Sequence, residues 1–142
     1  MHGRSSVDQL PSLFEWNGST RLHRRLRSGW RKDFVSYPGL SRHPGHATAL
    51  KQMKNGYGGV ISFGLHADDK TVERFCAALQ VVTFAVSLGH DESLIFPQPS
   101  YDERIHLYPE KFRKGFIRFS VGLEDPDDII RDLDQALKKV GL

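Results

Sequence analysis

Cys76 is the only cysteine in this 142-residue sequence. A lone cysteine excludes an internal disulfide framework and fits a reducing compartment. Apolar runs of the roughly 18 residues that span a bilayer are also missing. The longest, Val81–Val86, has the length of a strand. The N-terminus is charged but lacks an apolar stretch behind the charge, so it does not read as a secretory signal, and a cytoplasmic protein is expected. Internal repeats and low-complexity tracts are absent too. What remains is ordinary for a globular chain: 39% hydrophobic, 26% charged and 11% aromatic residues. At this length such a composition supports one core and not two.

The formal net charge of +3 is unevenly spread. Residues 1–33 hold seven of the twenty Lys and Arg residues and three of the seventeen acids, leaving thirteen basic and fourteen acidic residues in the rest. The basicity therefore belongs to the N-terminal segment. Leu22, Leu26 and Trp30 give that segment a short helical face behind a polar start. The run Arg21–Lys32 offers non-specific phosphate contact, but a solvated basic helix or tail explains it as well, and nucleic acid is not the expected partner.

From Phe34 onward the pattern sharpens. Phe34–Tyr37 predicts a short strand, stopped by Pro38-Gly39. Pro44 suits a first helical turn, with Ala47, Leu50 and Met53 as the apolar stripe and Asn55-Gly56 as the stop. Gly59–Phe63 is rich in β-branched and aromatic residues and predicts a strand. Asp68 or Asp69 caps a helix to Leu79, with Val72, Phe75, Cys76 and Leu79 inward. Val81–Val86 and Ile117–Val121 predict two more strands, and Pro97–Gly115 reads mainly as loop. The last helix has Asp125 as N-cap, Pro126 first, and Asp127 and Asp128 in the first turn. Its apolar face is Ile129, Ile130, Leu133, Leu137 and Val140. Asp127–Arg131 and Asp134–Lys138 stand at pairing distance along it, and Gly141 ends it. Alternating strands and helices suggest a small sheet covered by helices on one face.

Few residues suggest chemistry. In Phe116–Val121, strand alternation places Phe116, Arg118 and Ser120 on the face opposite Ile117, Phe119 and Val121. A mid-strand arginine beside aromatics is a rigid two-pronged donor for a carboxylate; a surface arginine paired with an acid gives the same pattern. Ser87-Leu88-Gly89 follows a strand, where backbone N–H groups are free to meet a ligand, although a plain turn also fits. Gly56-Tyr57-Gly58-Gly59 lacks the Lys-Ser/Thr of a phosphate loop and precedes a strand, so it reads as a turn. His43, His46, His66 and His90 lack the spacing of a zinc set. Cys76 reads as a core thiol.

Taken in order, five blocks resemble the PLP-dependent enzymes of Cys/Met metabolism, which include cystathionine γ-synthase, the cystathionine lyases, methionine γ-lyase and the sulfhydrylases. They are Val35–Leu40 with His43–His46, Gln52-Met53, Gly58–Phe63, Ser87–Gly89 with Glu92–Ile95, and Ile117–Asp125 running into Asp128–Leu137. The resemblance implies the small C-terminal, substrate-facing domain of a fold-type I PLP enzyme over residues 34–142. That domain is α/β, an antiparallel or mixed sheet with helices on one face. Residues 1–33 form a non-matching basic segment.

By the same resemblance, Arg118 holds the substrate α-carboxylate, with Ser87 and Leu88 shaping its pocket. The intact family enzyme carries PLP and performs lyase or transferase chemistry on sulfur amino acids. The family's cofactor domain has no counterpart here and no lysine stands in its Ser-x-x-Lys context. The expectations are therefore no catalytic residue, no PLP held by this chain alone, and no activity in isolation. A homo-oligomer or a full-length homologue is an expected partner, and a non-catalytic interaction domain is the alternative. The branches of the family are not distinguished.

Overall fold

The computed structural model describes residues 32–54 and 56–142. The helical face through Leu22, Leu26 and Trp30, and most of the basic segment, lie outside the described residues. The elements in chain order are β1 (Lys32–Ser36), α1 (His46–Gln52), β2 (Val60–Leu65), α2 (Asp69–Ala77), β3 (Thr83–Phe84), β4 (Leu94–Pro97), β5 (Phe116–Ser120) and α3 (Pro126–Val140). The strands form one sheet in the order β1-β2-β5-β4-β3. Every pairing is antiparallel except β3 with β4. The chain is thus α/β with a mixed five-stranded sheet.

Register explains how one face became the core. Val35 stands opposite Phe63 and Phe63 opposite Ile117, while Ile61 and Ile95 flank Phe119. Ile61, Phe63, Ile95, Ile117 and Phe119 are fully buried. They pack with Val72, Phe75 and Cys76 of α2 and with Ile129, Leu133 and Leu137 of α3. Each such side chain removed from water is worth about 1.5–3 kcal/mol. The two helices therefore cover the same face.

The opposite face carries Ser36, Ser62, Arg118 and Phe96 in one row across four strands. At one end it is covered by rings: Phe34 meets Phe112 at 4.7 Å and Phe116 at 5.9 Å. Gly64 lets the Phe34 ring lie on the sheet, since a β-carbon there would sit 2.4 Å from it.

The helices obey local rules where their ends were legible. The Asp68 side chain accepts from Thr71 N at 2.8 Å, which caps α2; the Thr71 side chain first, and this N–H second, hold that carboxyl below the usual range. Asp125 accepts from Asp127 N at 2.8 Å, Pro126 opens α3, and Gly141 closes it at φ 81°. Arg131 forms its ion pair with Asp128, three residues back.

The structure corrects several local expectations. Helix α1 starts at His46, after Pro44, and turns the other way: Ala49 is its buried residue, while Ala47 and Leu50 are exposed. His46 Nδ1, bonded to the Pro38 carbonyl at 2.7 Å, anchors that orientation. The strand expected over 81–86 shrinks to Thr83–Phe84 because its other polar groups are taken elsewhere. The Asp132 carboxylate accepts from the N–H of Gln80, Val81 and Val82 at 2.8–2.9 Å, and Arg118 takes the carbonyls of Val86 and Ser87. Strand β4 was hidden in an apolar run ended by Pro97. Within Pro97–Gly115 lie two 3-10 turns, Ile105–Leu107 and Glu110–Phe112, fastened by Arg113 donating to Tyr108 O at 2.9 Å. Among the described residues no helix is long and apolar enough to cross a membrane.

Candidate carboxylate-binding site around Arg118

Arg118 lies in the middle of β5 on the face away from the helices, opposite Ser62 on one side and Phe96 on the other. Strand alternation dictates this: Ile117 and Phe119 must point into the core, so residue 118 points out. The guanidinium is half-buried. Its carbon sits 5.7 Å from the centre of the Phe96 ring, and Phe96 in turn stacks on Phe84 at 6.1 Å. An aromatic face beside a cation lowers its contact with water and restricts its rotamers.

One nitrogen, Nη2, donates to two carbonyls, those of Val86 and, at 3.0 Å, Ser87. Nε and Nη1 donate to no described residue. A two-pronged carboxylate contact uses Nη2 together with Nε or Nη1. An incoming carboxylate must therefore share Nη2 with this loop or take it over. Among the described residues the guanidinium forms no ion pair with an acid.

The loop between β3 and β4 is strapped along its length to β4, to the end of β5 and to the segment that follows β5. Ala85 N donates to Ile95 O at 3.1 Å, and Gly89 N to the Ser120 hydroxyl at 3.0 Å. Leu123 N donates to Asp91 O at 2.7 Å. Gly89 adopts φ 76°, where glycine carries no steric cost. At Gly122 a β-carbon would stand 2.3 Å from Asp91 O, so only glycine allows the two backbones to meet.

Ser93, fully buried, ends the loop. Its N–H and hydroxyl both donate to the Glu124 carboxylate, at 2.6 and 2.7 Å, and its hydroxyl oxygen accepts from Gly122 N at 2.9 Å.

The structure thus brings Arg118 and Ser87 together through the Ser87 carbonyl. The Ser87 hydroxyl meets His90 Nε2 at 3.2 Å. Leu88 is 52% exposed beside them. Sequence reasoning gave no role to Ser93, Glu124 or Phe96. For Ser120 a signal existed, since alternation put it on the Arg118 face.

The remaining candidates have structural tasks. Gly58, at φ 82°, belongs to the turn into β2, and its carbonyl accepts from Tyr37 Oη at 3.2 Å. His43 Nδ1 accepts from Gly45 N at 3.0 Å. Burial, and secondarily the charge of Glu73, pushes the Cys76 thiol up to about 12.

PLP requires a lysine for its aldehyde and a charged partner for its pyridine nitrogen. The cross-strand neighbours of Arg118 are Ser62 and Phe96, and its hydrogen-bond partners are backbone carbonyls. These residues do not fit that cofactor by themselves.

Comparisons with known proteins bear on the family of the chain. The chain is 46% identical over 119 residues to a canavanine gamma-lyase of Pseudomonas canavaninivorans, covering 79% of this chain and 29% of that protein. A canavanine gamma-lyase of Rhizobium leguminosarum is 45% identical over 139 residues, covering 94% of this chain and 34% of that protein. In structure the chain resembles the cystathionine gamma synthase of Xanthomonas oryzae pv. oryzae, with a TM-score of 0.77 and 30% identity over 93% of this chain and 35% of that one. The chain therefore spans about a third of the length of the relatives it matches. The family model for the Cys/Met metabolism PLP-dependent enzymes matches residues 26–138, and the chain belongs to that family.

Proposed function

We propose that residues 34–142 supply the substrate α-carboxylate grip of a PLP-dependent lyase or transferase of sulfur amino-acid metabolism. We further propose that this chain does not perform the reaction alone. The supporting observation is Arg118: a half-buried guanidinium, sandwiched by position between Ser62 and Phe96, with Nε and Nη1 free among the described residues. Arg118 would bind and orient the carboxylate. The Ser87 carbonyl would hold the guanidinium in place, and exposed Leu88 would bound the pocket. PLP, when bound, supplies the electron sink for cleavage or replacement at the β or γ carbon. The cofactor and its lysine would come from a polypeptide region other than residues 34–142.

The names of the two canavanine gamma-lyases favour a second reading of the substrate, a γ-substituted amino acid without sulfur. The carboxylate grip is common to both. Titrating the ¹⁵N-labelled chain with L-methionine and with L-canavanine tests it. Both should shift the Arg118 side-chain signals and the backbone signals of Ser87 and Leu88, and Arg118→Ala should abolish the backbone shifts. Backbone shifts that survive this substitution would overturn the assignment. Adding one equivalent of PLP should give no saturable aldimine band distinct from free PLP and no single lysine reduced stoichiometrically by borohydride; a one-to-one adduct at one lysine would show that the chain holds the cofactor itself. A non-catalytic role as a partner of full-length subunits predicts co-elution with an intact homologue in gel filtration.

A further inference from the structure

We infer that Glu124 and Ser93 form a clamp that positions the Arg118 guanidinium, a task distinct from contact with any substrate. The inference rests on the carboxylate-binding role proposed for Arg118. Glu124 stands six residues beyond Arg118, just past the end of β5, and touches neither the guanidinium nor its carbonyl partners. Its carboxylate instead grips the N–H and the hydroxyl of Ser93, at 2.6 and 2.7 Å. The Ser93 hydroxyl oxygen accepts from Gly122 N at 2.9 Å, and Ser93 is fully buried. The hydroxyl therefore donates its one proton and uses one of its two lone pairs, which together fix its rotation.

Geometry carries the effect to Arg118. Ser93 O accepts from Thr83 N at 2.9 Å, so the clamp sets the start of β3 as well as the end of the loop. Between these anchors run Val86 and Ser87, whose carbonyls share Nη2. A ligand carboxylate has to compete with them for that nitrogen. The position of the carbonyls then decides both where the guanidinium points and how readily Nη2 is released. Loosening the clamp would let the loop drift and with it the cation. Charged acceptors on buried donors form the stronger class of hydrogen bond, which suits a part that must not move.

A merely stabilising role must be separated from this one, and the fold contains the comparator. Asp132 also grips backbone N–H groups, those of residues 80–82, but from α3 and away from Arg118. The experiment uses the full chain labelled with ¹⁵N-arginine, comparing the wild type with Glu124→Gln, Ser93→Ala and Asp132→Asn. Two quantities are read: hindered rotation of the Arg118 guanidinium, and the affinity for L-methionine.

Glu124→Gln should free the rotation and weaken L-methionine binding about tenfold, the size of effect expected when a binding group is misplaced. Ser93→Ala keeps the N–H bond to Glu124 and should show the same changes more weakly; it also serves if Glu124→Gln fails to fold. Asp132→Asn should lower the melting temperature and leave both readouts unchanged. The inference is overturned if Ser93→Ala and Glu124→Gln leave Arg118 at its wild-type rotation, or if Asp132→Asn frees it equally. A wild type that hinders Arg118 yet binds no amino acid would overturn the carboxylate reading and leave the clamp standing on the rotation data.

Discussion

Cys76 and Asp132 show how much a single side chain's surroundings decide. Cys76 faces the core from α2, and burial raises its thiol from an ordinary 9.0 to about 12. Only the thiolate reacts with alkylating agents, so the folded chain should resist iodoacetamide at pH 8–9 and react once unfolded in urea. Rapid labelling of the native chain at pH 8 would contradict this. The sign of the linked stability follows. The folded state keeps the proton longer than the unfolded state does. The stability tied to Cys76 is then present below pH 9 and lost as pH rises from 9 toward 12. Asp132 does its work as an acceptor. Replacing it with alanine strands three backbone donors, of which only that of Val82 belongs to a buried residue; at about 1–3 kcal/mol for a buried unsatisfied group and less for the two nearer water, the expected loss is about 3 kcal/mol, read by urea denaturation.

At the scale of elements, the entry to β5 is the tightest passage. Gly115 has φ 61°, and a β-carbon there would stand 2.1 Å from the Leu65 carbonyl. Gly115→Ala should cost about 2–4 kcal/mol, combining left-handed strain with a backbone clash. Denaturant midpoints measure it, and a loss below 1 kcal/mol would show that the turn relaxes. This level also shows what the sequence could tell. Helix α3 was readable end to end because its cap, its proline, its apolar period and its terminal glycine fall within seventeen consecutive residues. Strand β4 was not, because three apolar residues before a proline have no period to detect. The rotation of α1 depends on a bond from His46 to Pro38, outside the helix, so its stripe was misplaced. Arg118 and its facing were readable from alternation, and the family blocks supplied a role. Ser93 and Glu124 stand thirty-one positions apart, and only the pairing of β4 with β5 brings them together.

At the scale of the molecule, the last strand in the chain holds the central place in the sheet, between β2 and β4. During synthesis, β1 and β2 can pair as soon as they are made, and so can β3 and β4. Neither pair has a complete core until residues 116–120 slide between them and α3 covers Phe63, Ile95 and Phe119. Non-local closure of this kind is slow and leaves apolar strands uncovered in the meantime. A chain ending at residue 115 should therefore show no cooperative melting by circular dichroism, while the full chain melts in one transition; a sharp transition in the shorter chain would refute this. The strand that carries Arg118 is thus the keystone laid last. A nascent chain would gain the proposed grip on a carboxylate in the same step in which it gains a fold, so partly made copies would have no site to offer a ligand.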